Sequence, residues 1–454
     1  MRADGNTAAV TEPGGLGRLL QLPLDVHVDS GSGDGRAEWL RTGDWRLLAS
    51  PRCESDRAGA VIERFTLESG ASVTAVRRED GAVYVPFDLE EAYANYVNEG
   101  WVSATSVRAL SERQLRLYYH LKRLVPRTLI LAARRAFIRR GSPPEFPAWP
   151  FEHGVDRLLR FTARCLLEAA DVDEAEFAWF WPRGHRAALI LTHDVETAAG
   201  LRGAVDIADL EESRGLRSSF NIVADEYDID LGVIRELRER GFEIGLHGLH
   251  HDRSLFSSRE EFERQLPALD EAARRLGAVG FRSPATYRVQ GWIGELPIAY
   301  DGSVPHSDPY EPQPGGCCTV WPYMLGDVVE LPYTLPQDHA LFNLLQHDTA
   351  DVWLQQLATI EERAGLIHCL SHPDPGYLGR PKTRAIYAAF LDALSARETL
   401  WKALPRDVAD WWRRRERGET SGDEQGTGRV RRADGREYAR FAPPGLDGRA
   451  SASA

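Results

Sequence analysis

The sequence predicts an α/β fold built on a parallel sheet. Two observations carry that reading. From Ala187 to Leu394 short apolar runs alternate with amphipathic helical segments, the pattern of repeated strand–helix units. The run Ala187–Thr192 is apolar without interruption, as suits a strand buried on both faces. Composition agrees with a folded protein: 43% of the 454 residues are hydrophobic and 27% charged. The formal net charge of -13 speaks against a nucleic-acid partner held by a global positive field. No apolar run is long enough to cross a bilayer, and Met1–Gly15 lacks the basic-then-apolar pattern of a secretory leader, so a cytoplasmic location is expected. Five scattered cysteines without a CxxC indicate neither a disulfide framework nor a zinc ribbon.

Residues 1–35 are rich in Gly, Asp and Ser and read as a loose leader. Residues 36–141 read as a small α+β domain, with strands at Ala60–Phe65, Ala71–Val76 and Ala82–Val85 and helical character over 102–141. Residues 142–182 read as a Pro-rich linker followed by a lead-in helix. The alternating region, 183–412, is the candidate catalytic domain. Its strands are expected at Ala187–Thr192, Ser219–Val223, Phe242–Leu246, Val279–Phe281, Val328–Leu331 and Leu366–Leu370. Helices are expected at Ala204–Glu212, Val233–Arg240, Ser258 to about Arg275, Asp351–Arg363 and Thr383–Leu394, with Ser258 as an N-cap ahead of Glu260 and Glu261. Residues 413–454 are polar and charged in both signs, and are expected to form a disordered tail.

Active sites of parallel α/β folds gather at the C-terminal ends of strands. Here four strand ends carry ionisable groups: Thr192–Glu196, His247–Asp252, Arg282–Pro284 and Ser371–Asp374. His247 and His251 are four apart, which on a helical turn places both imidazoles on one face. Two imidazoles with a carboxylate form the usual ligand set of a hydrolytic zinc or similar ion; surface histidines in a turn are the plain alternative. His250 is out of phase with that pair. Asp194 and Glu196 point the same way in extended backbone, so one can hold a metal while the other acts as base. The plain alternative for Asp194 is the cap of the following helix. Arg282 stays charged, so its role is to orient a carboxylate such as Asp194. His372 stands where it can give a proton to a leaving group.

In order, Thr192-x-Asp194, His247-x-x-x-His251, Arg282-x-Pro284 and a late strand ending in His372 resemble the polysaccharide deacetylase family, also called the NodB-homology or carbohydrate esterase family four domain. The resemblance spans roughly residues 183–400. The family's first motif is Thr-Phe-Asp-Asp-Gly; here Val195 replaces the second Asp, and Glu196 is the nearest substitute, as in a divergent Thr-His-Asp-Val-Glu subgroup. Gly248 stands where the second motif carries Ser or Thr. The resemblance implies a distorted (β/α)7 barrel and a metal-dependent hydrolase that removes N-acetyl groups from a saccharide or sugar conjugate, acting on amide bonds other than peptide bonds. It implies Asp194 as base, Arg282 and His372 as further catalytic residues, and Glu196 (or Asp194), His247 and His251 as ligands to zinc, or to cobalt, nickel or manganese. It also implies Asp301 and Pro284 beside the sugar.

A lipid-linked or nucleotide-linked sugar is the expected partner, because the leader reads as non-secretory. Nine Lys or Arg and no acid lie between Arg113 and Arg140. That stretch is a candidate for peripheral contact with an anionic membrane; solvated or acid-paired arginines are the other reading. Two other functions stay open: a metal-free amide hydrolase of small molecules, and a non-catalytic saccharide-binding barrel.

Overall fold

The computed structural model describes residues 15–52, 58–104, 126–141 and 145–444. Contacts divide the chain into two compact units: Met1–Tyr96, Gly154–Trp179 and Gly426–Ala454 in one, Val97–His153 and Phe180–Gln425 in the other.

The first unit differs from the expected domain limits. Its six-stranded sheet includes the expected strands, as Ala60–Leu67, Ser72–Arg77 and Val83–Tyr84, together with Glu38–Thr42 and Trp45–Ala49. Helix Gly154–Ala169, read from sequence as part of a linker, belongs to this unit: its Phe161 meets Trp45 and Phe65 at 5.8 Å each. The expected disordered tail is also corrected. Strand Thr427–Arg432 pairs with Glu174–Ala178 on one side and Ala439–Ala442 on the other. Inward positions in that strand are Gly428 and Val430, while Arg429 and Arg431 reach Glu174. One Val and one Gly facing inward leave almost no trace in composition, which is why the segment reads as polar. Residues 445–454, and 113–125 of the basic stretch, lie outside the described residues.

In the second unit the alternating pattern forms the sheet. β1 (Ala187–Val195), β2 (Ser219–Ile222), β3 (Glu243–Leu246), β4 (Gly280–Phe281), β5 (Tyr300–Asp301), β6 (Tyr323–Leu325), β7 (Val328–Glu330), β8 (Leu366–Ser371) and β9 (Leu400–Lys402) form one nine-stranded sheet. Its order is β6-β7-β5-β4-β3-β2-β1-β8, with β9 also pairing β1, and only β6 runs antiparallel. The chain just past β7 meets β8: the amides of Thr334 and Leu335 donate to the His368 carbonyl at 3.2 and 3.1 Å. The sheet thereby curls into a distorted barrel, as expected. Every residue of β1 is buried, in keeping with its unbroken apolar run.

Helices α1 (Ala198–Glu212), α2 (Leu231–Glu239), α3 (Arg259–Leu276), α4 (Asp351–Glu362) and α5 (Pro381–Ser395) fall between strands. Ser258 caps α3 as expected, accepting from the Glu261 amide. α1 starts six residues earlier than the hydrophobic pattern suggests. Its cap is Thr197, which accepts from the Gly200 amide at 3.1 Å, so Asp194 is left for other work.

Candidate functional site

β1 carries Thr192 and Asp194 toward one side, while His193, one residue out of phase, turns away to Ser371 and Glu211. The Asp194 Oδ1 accepts from Asn221 Nδ2 on β2 at 2.9 Å and lies 3.6 Å from Arg282 Nε. Arg282, just past β4, is fixed from behind. Its Nη2 donates to Thr192 Oγ1 at 3.1 Å and to His368 Nε2 at 3.0 Å. An arginine only donates, so that ring nitrogen accepts and His368 Nδ1 donates to the Leu331 carbonyl at 3.0 Å.

His247 follows β3, and its Nδ1 lies 3.0 Å from the Arg282 carbonyl, which turns Nε2 inward. The segment to His251 is a turn and not a helical one. Gly248 sits at φ +76, where a side chain would be strained and its Cβ would meet the Pro284 ring at 2.9 Å. That bend brings the two rings to a centroid separation of 5.2 Å. His251 Nε2 is 3.2 Å from Glu196 Oε1. Glu196 is set by Asp374, whose Oδ2 accepts from the Glu196 amide at 3.0 Å while Oδ1 accepts from Thr197.

Ligand atoms of Glu196, His247 and His251 all lie within 4.8 Å of one another, the grouping of this kind found among the described residues. One carboxylate and two imidazoles suit a small divalent cation, zinc among them, with coordination left over for water and substrate. Asp194 stands beside the group, its Oδ2 3.9 Å from His247 Nε2. On the other side His372 presents Nε2 at 3.8 Å from Glu196 Oε1. Asp338 grips His372 twice, accepting from Nδ1 at 2.7 Å and from the amide at 3.0 Å. Tyr377 stacks on the same imidazole, centroid to centroid 4.4 Å.

The charges follow from these contacts. Burial alone would raise the Asp194 pKa, but His247, Arg282 and His372 outweigh it and hold the carboxyl below its ordinary value. Burial would likewise raise Glu196, and His251 with His372 and His247 holds it far below. Burial lowers His247 to about 4 against the pull of Asp194, so it is a neutral imidazole, the form that binds metal. Burial would lower His372 as well, but Asp338, Glu196 and Asp194 raise it to about 10, so it carries a proton.

The structure thus brings together Asp194, Glu196, His247, His251, Arg282 and His372. His250 lies outside the group. Asp301 and Pro284, expected beside a sugar, do not join this group. The Asp301 carboxylate is fully buried and engaged by Ser303, at 2.7 and 3.0 Å, and by Glu330. Pro284 is buried against Gly248 and shapes the histidine turn. Sequence reasoning missed Asn221, Asp338, His368 and Asp374. Asn221 has a signal, since it lies near the C-terminal end of an expected strand; Asp374 stands in an ionisable strand end, but nothing local gives it a role.

No protein-family model matches the chain, and no curated protein matches it in sequence. Solved structures do align with it. One, from Mycobacterium smegmatis, was solved as a candidate polysaccharide deacetylase: 18% identity, 52% of this chain against 93% of that one, TM-score 0.43. An allantoinase aligns at 17% identity over 51% of this chain and 92% of its own, TM-score 0.39. A chitin deacetylase from Colletotrichum lindemuthianum aligns at 18% identity over 51% and 89%, TM-score 0.34.

Proposed function

We propose that this chain is a metal-dependent hydrolase that removes the N-acetyl group of a saccharide or sugar conjugate. The order of its motifs, which resembles the polysaccharide deacetylase family, implies that reaction. The observation that carries it is the juxtaposition of three side chains able to ligate a cation with the carboxylate of Asp194 and the imidazole of His372. Glu196, His247 and His251 would hold the divalent cation, zinc first and cobalt, nickel or manganese after it. When bound, such a cation polarises an acyl oxygen and lowers the pKa of water.

The remaining work falls to side chains. Asp194 takes a proton from the attacking water, its carboxylate kept ionised and aimed by Asn221 and Arg282. Thr192 and His368 fix the guanidinium, which exchanges no proton. His372 gives its Nε2 proton to the amine nitrogen as the carbon–nitrogen bond breaks, and Asp338 holds the ring by Nδ1 so that Nε2 faces inward. The products are acetate and a free amine.

The substrate class we propose is an N-acetylated sugar, free or linked to a lipid or nucleotide. The test is acetate release from a panel of N-acetylated saccharides and acyclic amides by protein loaded with zinc or cobalt. Release from sugars supports the reading. Turnover of amides alone, unchanged by a chelator, would replace it with the metal-free hydrolase.

A further inference from the structure

One element of the catalytic unit has no part in this chemistry, the helix Arg127–Arg140. Its inner side is tied down. Arg134 reaches His339 Nε2 at 3.1 Å and the Tyr310 carbonyl, and Arg135 Nε donates to the Asn343 carbonyl at 2.7 Å. His339 lies 5.8 Å from Tyr377, the ring that stacks on His372. The helix therefore stands two ring contacts from the proposed acid.

Its outer side is unusual. Leu129, Ala133, Ala136, Phe137 and Arg140 recur at helical spacing and are all exposed, with Arg139 beside them. Leu129 is 60% exposed and Phe137 80%, the most of any large apolar side chain among the described residues. Ile130 and Leu131 turn partly inward, and Leu129 and Phe137 turn out. Among the described residues Arg134, Arg135, Arg139 and Arg140 form no ion pair with a carboxylate, and Arg139 reaches only Gln346.

We propose that this face docks the catalytic unit on an anionic lipid bilayer. The occupant follows from the chemistry. Leu129 and Phe137 gain by entering the interfacial layer, and Arg139 and Arg140 meet acidic headgroups beside them. A nucleic acid would satisfy the arginines but offers the exposed Leu129 and Phe137 side chains no apolar layer. The helix has 14 residues, and no helix among the described residues is long and apolar enough to cross a membrane, so the contact is peripheral. The charge is local, since the chain carries -13 overall yet no acid between Arg113 and Arg140. This docking gives the proposed active site its setting, a sugar borne on lipid, and rests on that reading only for the substrate.

The test uses the full chain without any substrate. Sedimentation with phosphatidylglycerol vesicles, pure phosphatidylcholine vesicles and a single-stranded oligonucleotide separates the outcomes. Binding is expected to phosphatidylglycerol alone, weakened by salt. Arg139→Gln with Arg140→Gln should reduce partitioning about thirty-fold, at roughly five-fold per arginine. Phe137→Ser should reduce it about ten-fold or more at unchanged charge. Binding that ignores these variants, equal binding to neutral vesicles, no vesicle binding, or binding to the oligonucleotide alone would each overturn the proposal. Vesicle binding by a chain that releases no acetate would leave it standing while the catalytic reading fell.

Discussion

Asp194 and Glu196 stand two residues apart on one strand end in different surroundings, and the proposal gives them different work. Asp194 has Asn221 at 2.9 Å and Arg282 at 3.6 Å, and it stands beside the three clustered candidate ligands. Glu196 has His251 at 3.2 Å and is one of the three. Asp194→Asn keeps the shape and the Asn221 contact but cannot take a proton from water. Turnover should fall by about 10²–10⁴ while the cation stays. The buried guanidinium loses a counter-charge; breaking a buried pair costs about 3–5 kcal/mol. At 3.6 Å without a hydrogen bond the lower end applies, so a lower melting temperature is expected and turnover is compared well below it. Glu196→Gln removes a ligand. Altering a mere outer partner costs about 10–100-fold in metal affinity, so this loss should be at least as large. Excess zinc should then restore part of the activity. The assay is metal affinity by chelator competition together with acetate release, for both variants. If Asp194→Asn lost the cation and Glu196→Gln behaved like the parent, the assignment would be reversed.

Other consequences are measurable. Asp338→Asn removes a charge-assisted bond of about 1.5–3 kcal/mol from His372. The alkaline limb of kcat/KM should move down by about 1–2 pH units; an unmoved limb would show that Asp338 does not tune the acid. Burial, opposed by the Tyr300 hydrogen bond, raises Glu243 from 4.5 to about 7. Stability from this group is fully present below pH 4.5 and is lost as pH rises through 7, about 3 kcal/mol in all. Glu243→Gln can still accept from the Arg406 amide and donate to Tyr300, so its unfolding free energy should not fall over that range; a parallel fall would refute the assignment. Truncation after Gly418 removes Val430, which is fully buried, and a strand paired on both sides. The melting temperature should drop by several degrees, and an unchanged one would mean the strand adds nothing.

Much of the catalytic unit was legible in the sequence because its signals are local. An unbroken apolar run makes a buried strand, and polar residues at strand ends face one mouth, so Asp194, His247, Arg282 and His372 could be named from position alone. Gly248 is legible too, though only the structure shows that its positive φ and the Pro284 ring replace the expected helical turn. The supporting residues were not legible. Asp338 lies 34 residues from His372 and Asn221 lies 27 from Asp194, and nothing local pairs them. Asp301 shows the converse. Its place in the chain resembles a substrate contact, but β5 pairs it with Glu330 and buries it. Strand Thr427–Arg432 is not legible because arginines alternate with one glycine and one valine.

The central claim is that Glu196, His247 and His251 hold a cation. Elemental analysis of protein purified without chelator tests it most directly, beside the His247→Ala, His251→Ala double variant. The account predicts about one divalent ion per parent chain and almost none in the variant, with the fold intact by circular dichroism. Full occupancy in the double variant would contradict it, as would a parent chain that takes up no zinc or cobalt even on addition.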